Sequence, residues 1–209
     1  MMKELNFKTI IYGFSFFAAS LLIYRIYRTD SLVYIFLAWN LFLAFIPFWI
    51  SNYLIKQKQI TFHYLPIVLL WILFLPNAPY ILTDLYHLKV RAGIPIWYDL
   101  ILVCSFALIG FVLFYKSTID MINLLREHIR ETYFKFILPA FFWLMAFGLY
   151  LGRYMRFNSW NVVNHPFRVV HQSFDTLFYT DTIGFTLIFG AFMWLVYLTL
   201  VNFNSKEKT

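Results

Sequence analysis

The sequence predicts an all-α, polytopic membrane helix bundle with about six transmembrane helices and additional interfacial amphipathic helices. Of its 209 residues, 62% are hydrophobic, 23% are aromatic and only 13% are charged, a composition far more apolar than that of a soluble domain. A hydrocarbon core of roughly 30 Å is crossed by about 20 apolar residues in a helix. Such a composition leaves no room for a separate soluble domain, so we expect residues 1–209 to form a single integral membrane domain. Six runs approach the required length, in chain order Ile10 to Tyr24, Leu32 to Ile50, Leu65 to Leu82, Trp97 to Tyr115, Phe134 to Leu151 and Ile183 to Val201.

The first run has some features of a signal peptide. It follows Lys3 and Lys8 and contains the small residues Ala18-Ala19-Ser20, which resemble a cleavage site. Its apolar stretch nevertheless continues to Ile26. We therefore predict an uncleaved first span.

Two connecting segments have the pattern of amphipathic helices. Residues 116–132, between spans four and five, place apolar and polar residues on separate helical faces, and Ser117 with Asp120 has the spacing of a capping box. We expect an interfacial helix there that joins the two spans. Residues 166–180 predict a second interfacial helix, whose apolar face consists of Phe167, Val170, Phe174, Leu177 and Phe178.

The formal charge of +7 does not indicate a nucleic-acid partner, because the basic residues stand singly or in pairs in short loops. If the N-terminus is inside, ten of the 17 Lys and Arg residues flank the cytoplasmic side. This bias predicts that both termini are cytoplasmic. Asp99 and Asp181 begin spans four and six, where aspartate commonly caps a helix. The single cysteine, Cys104, excludes a disulfide within the chain.

The third span has an unusual ending, Pro76-Asn77-Ala78-Pro79, followed by Thr83, Asp84 and His87. The two prolines remove backbone donors and disfavour helical geometry in the residues before them, which frees carbonyl groups at membrane depth. Such carbonyls need partners from protein or water. The motif therefore predicts a polar, protein-lined site at one membrane face, which the charge bias places outside.

A short helix from Pro79 would put Tyr80, Asp84, His87 and Arg91 on one face. Asp84 and His87 could share a divalent metal, or Asp84 could orient the His87 imidazole for proton transfer. Because zinc sites usually need three protein ligands, this spacing is a weak metal motif, and a pair that only fixes the loop is the simpler interpretation. The catalytic candidates are Asp84, His87, His171 and Asp175, and the metal candidates are Asp84, His87 and His171, with Asp175, Asp99 and Asp181 as other possible third ligands.

A second polar motif follows span five. Arg153 and Arg156 are three residues apart and precede Asn158, Ser159, Trp160 and Asn161. Guanidinium groups bind phosphate or carboxylate in bidentate geometry, so the motif is suited to an anionic ligand. The alternative is that the arginines pair internally with Asp84, Asp99 or Asp181, since charges near a membrane tend to pair with one another. The ligand-binding candidates are Asn77, Tyr80, Thr83, Arg153, Arg156, Asn158, Trp160 and Asn161.

The two motifs, LFLPNAPYILTDLYHL and LGRYMRFNSWNV, in a six-span chain of this length resemble the DUF1361 family of bacterial multi-pass membrane proteins, whose function is unassigned. The resemblance covers most of the chain from span three to span six. It implies a bacterial plasma-membrane protein and no established activity. Where the family pattern often has Asp after the Asn-Ser-Trp tripeptide, this chain has Asn161, so no carboxylate role transfers to that position.

Three function classes stay open. The outer site could bind a lipid head group or another anionic ligand, or it could be a metal-dependent or acid/base interfacial enzyme acting on a lipid-like substrate. It could also be an accessory surface that docks to another membrane protein. The expected partners are membrane lipids and a membrane-protein partner or a second copy of the chain. The spans carry no charge near their centres and the chain has no phosphate-binding glycine loop, which disfavours coupled transport and nucleotide chemistry.

Overall fold

The computed structural model describes residues 6–57, 62–126, 130–157 and 159–206. These residues form α-helices and two 3-10 segments, and they contain no β-strand. The 3-10 segments are Phe62–Tyr64 and Ile81–His87. The α-helices are α1 Phe7–Thr29, α2 Phe36–Lys56, α3 Leu65–Phe74, α4 Asn77–Tyr80, α5 Ile96–Arg126, α6 Glu131–Arg153, α7 Asn161–Asn164, α8 Pro166–Leu177 and α9 Thr180–Lys206.

Six helical stretches are long and apolar enough to cross a membrane, and they coincide with the six predicted runs. The third stretch, Leu65–His87, is composite: it consists of α3, the short α4 and the Ile81–His87 3-10 segment. The prediction of an all-α, multi-pass bundle is confirmed. The prolines account for the composite span, because each lacks the N–H that a continuous helix needs.

The bundle is organised around α5, which packs against α1, α2, α4 and the Ile81–His87 segment, called the 3-10 segment from here on. α6 packs mainly against α9. Two glycines let α4 lie between α5 and α6. A Cβ at Gly110 would clash with the Ala78 carbonyl oxygen, and one at Gly148 would be 2.9 Å from the Pro76 side chain. Only glycine therefore permits this close approach of the proline-bearing turn to both helices.

One predicted element is wrong. α5 continues without a break to Arg126, so residues 116–126 extend the fourth span and do not form a separate interfacial helix; residues 127–129 lie outside the described part. Ser117 does not cap a helix either. It is fully buried, it receives a hydrogen bond from the Trp71 indole at 2.8 Å, and its hydroxyl lies 2.9 Å from the Pro47 carbonyl oxygen. Burial of this face against α2 and α3 explains why the helix does not stop at Lys116.

The second amphipathic helix is confirmed as α8, Pro166–Leu177. Its predicted apolar face is turned away from the bundle, since Phe167 is 90% exposed and Phe174 is 66% exposed. Val169, in contrast, faces the protein and is buried. The helix thus lies across one end of the bundle, with an outward apolar face typical of an element in a membrane interface.

Candidate functional site

Both sequence motifs lie at the same end of the bundle, which we call the motif end: it contains His87, Arg153 and Trp160. There the break after α3 leaves two carbonyls with side-chain partners. The Asn77 amide nitrogen donates to the Phe74 carbonyl at 2.9 Å and to the Ser159 hydroxyl at 2.8 Å. The Ser159 hydroxyl donates to the Leu73 carbonyl at 3.2 Å. The second motif therefore satisfies the backbone that the first motif frees, and the two motifs are in contact.

Arg153, at the end of α6, is the centre of the polar contacts. Its Nε donates to the Thr83 hydroxyl at 2.7 Å, and one terminal nitrogen donates to Asp84 Oδ1 at 2.6 Å. The other terminal nitrogen is 3.1 Å from His87 Nε2. The guanidinium carbon lies 4.5 Å from the centre of the Tyr80 ring, a distance typical of a cation–π contact. All four partners come from α4 and the 3-10 segment, so one side chain fixes that segment to α6.

Asp84 is almost completely buried and uses both carboxylate oxygens. Oδ1 accepts from Arg153, and Oδ2 accepts from the Asn40 amide of α2 at 2.8 Å. Of the two alternatives for the arginines, internal pairing is thus realised for Arg153. One feature of Asn40 is visible in the sequence: it is an amide inside an otherwise apolar span. The resulting contacts join α2, the 3-10 segment and α6.

A second charged cluster lies beside the first and joins α1 to α5. Arg25 and Asp99 are each 1% exposed, with Nε 2.8 Å from Oδ1 and a terminal nitrogen 3.3 Å from Oδ2. The Tyr34 ring lies against the guanidinium groups of both Arg25 and Arg91. The Tyr34 hydroxyl accepts from Arg91 at 2.6 Å and donates to the His87 carbonyl at 3.3 Å. The backbone of His87 therefore connects the two clusters.

The electrostatics of this second cluster follow from burial and charge. Removal of the hydroxyl from water, together with the nearby Asp99 carboxylate, raises the pKa of Tyr34 above its ordinary value of 10. Tyr34 is therefore a neutral hydroxyl that can both donate and accept near neutral pH. The sequence did not single out Arg25, and no local pattern could point to its partner Asp99, which is 74 residues away. Asp99 does lie in the first turn of α5 as predicted, but its carboxylate binds Arg25.

A cavity of about 330 Å³ lies next to the Arg153 cluster, between α2, α3, α4 and α6. Its walls are mainly apolar, and its polar groups belong to Asn40, Asn77, Tyr80 and Ser159. Leu144 and Val162 line it and are also exposed on the surface of the bundle, whereas Val169 of α8 lines it from a buried position. The cavity therefore reaches the surface of the bundle and has a polar end against the motifs.

The remaining ligand-binding candidates are spread around this end. Trp160 packs edge-on against Trp39 of α2, with ring centres 6.3 Å apart, and Asn161 begins α7. Arg156 is exposed and has a left-handed backbone φ of 57°; it reverses the chain after α6 and does not share the contacts of Arg153. Asn158 lies outside the described residues. Asn77, Tyr80, Thr83 and Arg153 are thus assembled, whereas Arg156 is exposed and reaches Tyr80 only at electrostatic range.

The candidates for a metal are not brought together. His171 and Asp175 form an exposed pair on α8 at 2.9 Å, and neither contacts Asp84 or His87. Within the described ranges, no group of three His, Cys, Asp or Glu side chains has a metal-binding arrangement. Moreover, the Arg153 donors already face the Asp84 carboxylate and His87 Nε2, the atoms that would bind a metal. The divalent metal remains an untested prediction, and this geometry gives it no support.

The fold and these contacts define a class of protein: a multi-pass membrane helix bundle with two buried Arg–Asp pairs at one end. The model of the family described as Protein of unknown function (DUF1361) matches residues 39–196, and the chain belongs to that family. The predicted resemblance is confirmed by this match. No curated protein and no solved structure matches the chain.

Proposed function

We propose that this protein binds a membrane lipid, or a similar amphiphile, in the cavity at the motif end. The observation that carries the proposal is the cavity itself: about 330 Å³ with apolar walls and polar groups at one end. Ligand sites are typically concave and mostly apolar, with a few placed polar groups. An amphiphile matches this arrangement, because its apolar chain can contact the walls while its head group contacts the polar end.

The opening of the cavity supports a ligand that arrives from the bilayer. Leu144, on α6, is 53% exposed, and Val162, on α7, is 39% exposed, yet both line the cavity. In a bundle whose surface is apolar at this level, a lateral opening is contiguous with the lipid phase. A lipid chain can then enter without leaving an apolar environment.

The polar end is held in place by contacts on every side, which favours binding over a purely structural void. Asn77 is held by two hydrogen bonds, and Asn40 is held by Asp84, which Arg153 in turn fixes. Side chains that are already positioned lose little conformational entropy when a ligand binds.

We propose a bacterial plasma membrane as the setting, with both termini cytoplasmic. The charge bias supports this orientation, because ten of the 17 basic residues then lie on the cytoplasmic side. The motif end, and with it the cavity, faces outward in this orientation. An accessory role, in which a second membrane protein docks at this end, would use the same outward surface.

The test fills the cavity with a bulky side chain. The purified protein is placed in phosphatidylcholine nanodiscs with equal small fractions of monoolein, phosphatidylethanolamine and phosphatidylglycerol, and native mass spectrometry counts the lipids that it retains. We expect wild type to retain one lipid, and Leu144→Trp to lose it at least tenfold more readily because the indole occupies the chain volume.

The matched control is Leu195→Trp, the same substitution at an exposed α9 leucine that does not line the cavity. It should retain lipid as wild type does. Equal retention by wild type and Leu144→Trp would contradict the proposed function.

A further inference from the structure

We infer that the ligand is an uncharged amphiphile whose head group carries hydroxyl donors, a class that includes acylglycerols and glycosylated lipids. The inference rests on the proposed function and names the chemistry of the head group. It depends on which hydrogen-bonding atoms at the polar end of the cavity are already used, and on the charge of the lining residues.

The two central polar side chains have no donor hydrogen left. The Asn77 amide has two hydrogens, and they go to the Phe74 carbonyl and the Ser159 hydroxyl. A carbonyl can only accept, so the amide atom that faces Phe74 must be the nitrogen. The one Ser159 hydrogen goes to the Leu73 carbonyl for the same reason. Asn77 and Ser159 therefore offer only acceptor oxygens to a ligand.

The neighbouring groups can accept and can also donate. Asn40 gives one of its two amide hydrogens to Asp84 and keeps the other, and no donor among the described residues reaches its side-chain oxygen. The Tyr80 hydroxyl has no hydrogen-bond partner in the described part of the chain, so it can accept or donate. A head group with several hydroxyls can donate to the oxygens of Asn77 and Ser159 and accept from Asn40 and Tyr80, whereas a phosphate has only acceptors to offer at neutral pH.

The lining residues also carry no charge. Arg, Lys, His, Asp and Glu are absent from the described residues that form the cavity wall. Arg153 faces Thr83, Asp84 and His87, and the exposed Arg156 is within electrostatic range of Tyr80, but neither arginine lines the cavity. An anionic head group inside the cavity would therefore contact no cation in the cavity wall, which is costly in a low-dielectric site. We therefore propose a neutral head group with donors, and an anionic ligand is the alternative that the test below measures.

The test uses three probes with the same oleyl-length chain: monoolein, which has two hydroxyls; methyl oleate, which is neutral and has no donor; and oleyl phosphate, which is anionic. The protein is placed in phosphatidylcholine nanodiscs, whose lipid head has no hydrogen-bond donor, and native mass spectrometry measures retention of each probe. We expect monoolein to be retained about tenfold more than methyl oleate, from two hydrogen bonds, and more than oleyl phosphate.

Tyr80→Phe tests the head-group contact without changing the ring that packs on Arg153. It should lower monoolein retention about two- to tenfold, the effect of one hydrogen bond, and leave methyl oleate unchanged. Tyr179→Phe, at an exposed tyrosine outside the cavity, is the control and should match wild type.

The outcomes separate the two proposals. If methyl oleate or oleyl phosphate is retained as well as monoolein, and Leu144→Trp still releases it, the cavity binds an amphiphile but the head-group inference is wrong. If no probe is retained above the level of Leu144→Trp, the proposed function fails and the inference falls with it.

Discussion

The two buried Arg–Asp pairs consist of the same residue types but have different roles in the structure. Arg25 and Asp99 face each other with both carboxylate oxygens and are sealed from solvent, each 1% exposed. Arg153 instead divides its nitrogens among three residues, is 11% exposed, and shares Asp84 with Asn40. The first pair joins two helices, and neither Arg25 nor Asp99 lines the cavity at the motif end. The second pair joins three elements next to the cavity. The Arg25–Asp99 pair therefore holds the fold together, whereas the Arg153–Asp84 pair also positions the polar groups of the site.

The largest expected effect on stability comes from breaking the sealed Arg25–Asp99 pair. Asp99→Ala leaves the Arg25 guanidinium buried without its carboxylate, which costs about 3–5 kcal/mol. We expect a large fall in the unfolding midpoint of the detergent-solubilised protein, measured by thermal denaturation. The control is Asp181→Ala, at an exposed aspartate in the first turn of α9, which should unfold near the wild-type midpoint. An Asp99→Ala protein as stable as this control would show that the pair does not hold α1 to α5.

Removal of both partners should distinguish the two pairs. Replacing a buried ion pair by apolar residues of similar volume is often neutral or stabilising. Arg25→Met with Asp99→Leu should therefore recover most of the stability lost in Asp99→Ala and retain monoolein as wild type does. Arg153→Met with Asp84→Leu should also fold but release monoolein, because Asn40 and Tyr80 lose the contacts that position them.

The readouts for these double variants are thermal unfolding and native mass spectrometry on the same preparation. If both double variants retain monoolein equally, the distinction between Arg25–Asp99 as a structural pair and Arg153–Asp84 as the pair that positions the site is wrong. If both release it, the second pair has no special relation to the cavity.

A smaller effect is expected at Asn40, which contacts the Arg153–Asp84 pair through Asp84 and does not contact the Arg25–Asp99 pair. Asn40→Leu removes the donor to Asp84 Oδ2 and leaves a buried acceptor unpaired, at a cost of about 1–3 kcal/mol. It also removes a polar group from the cavity, so monoolein retention should fall. Asn52→Leu removes a hydrogen bond from an amide to a carbonyl of the same helix, 2.7 Å from Phe48, away from the cavity, and should not affect retention.

The smallest effect is expected at Tyr34, which touches both clusters. Tyr34→Phe keeps the ring between Arg25 and Arg91 but loses the hydroxyl contacts with Arg91 and the His87 carbonyl. We expect a loss of about 1 kcal/mol in the free energy of unfolding and unchanged monoolein retention, measured by denaturant titration and mass spectrometry. A change in retention would mean that the sealed pair influences the cavity through His87.

The sequence predicted the six spans well because hydrophobic length determines a membrane helix almost alone. It predicted that the proline motif needs protein partners, and it kept internal pairing of Arg153 as an alternative. The partners themselves were less accessible, because Arg153 and Asp84 are 69 residues apart and Asn40 is 44 residues from Asp84. Such pairings depend on how helices are arranged, which periodicity within one helix does not report.

The continuation of α5 was missed for a different reason. Lys116 and Asp120 look like the start of a solvated helix, but they form an ion pair one turn apart and so reduce each other's cost of burial. The cavity was also beyond sequence analysis, since it is the space left when α3, α4 and α6 pack around the proline break. Sequence patterns within each helix indicate which side chains share a face, but they do not report the space that remains between packed helices.

The 3-10 geometry of Ile81–His87 has a consequence for how few side chains the site needs. In such a helix three residues complete a turn, so residues three apart align along the axis, whereas an α-helix rotates them about 60° out of line. Asp84 and His87 are three apart, and a single flat guanidinium therefore reaches both. The 3-10 winding therefore aligns two partners for one guanidinium. In a regular α-helix Asp84 and His87 would still share a face, but they would lie about 60° out of line, and the Arg153 guanidinium would meet them less directly.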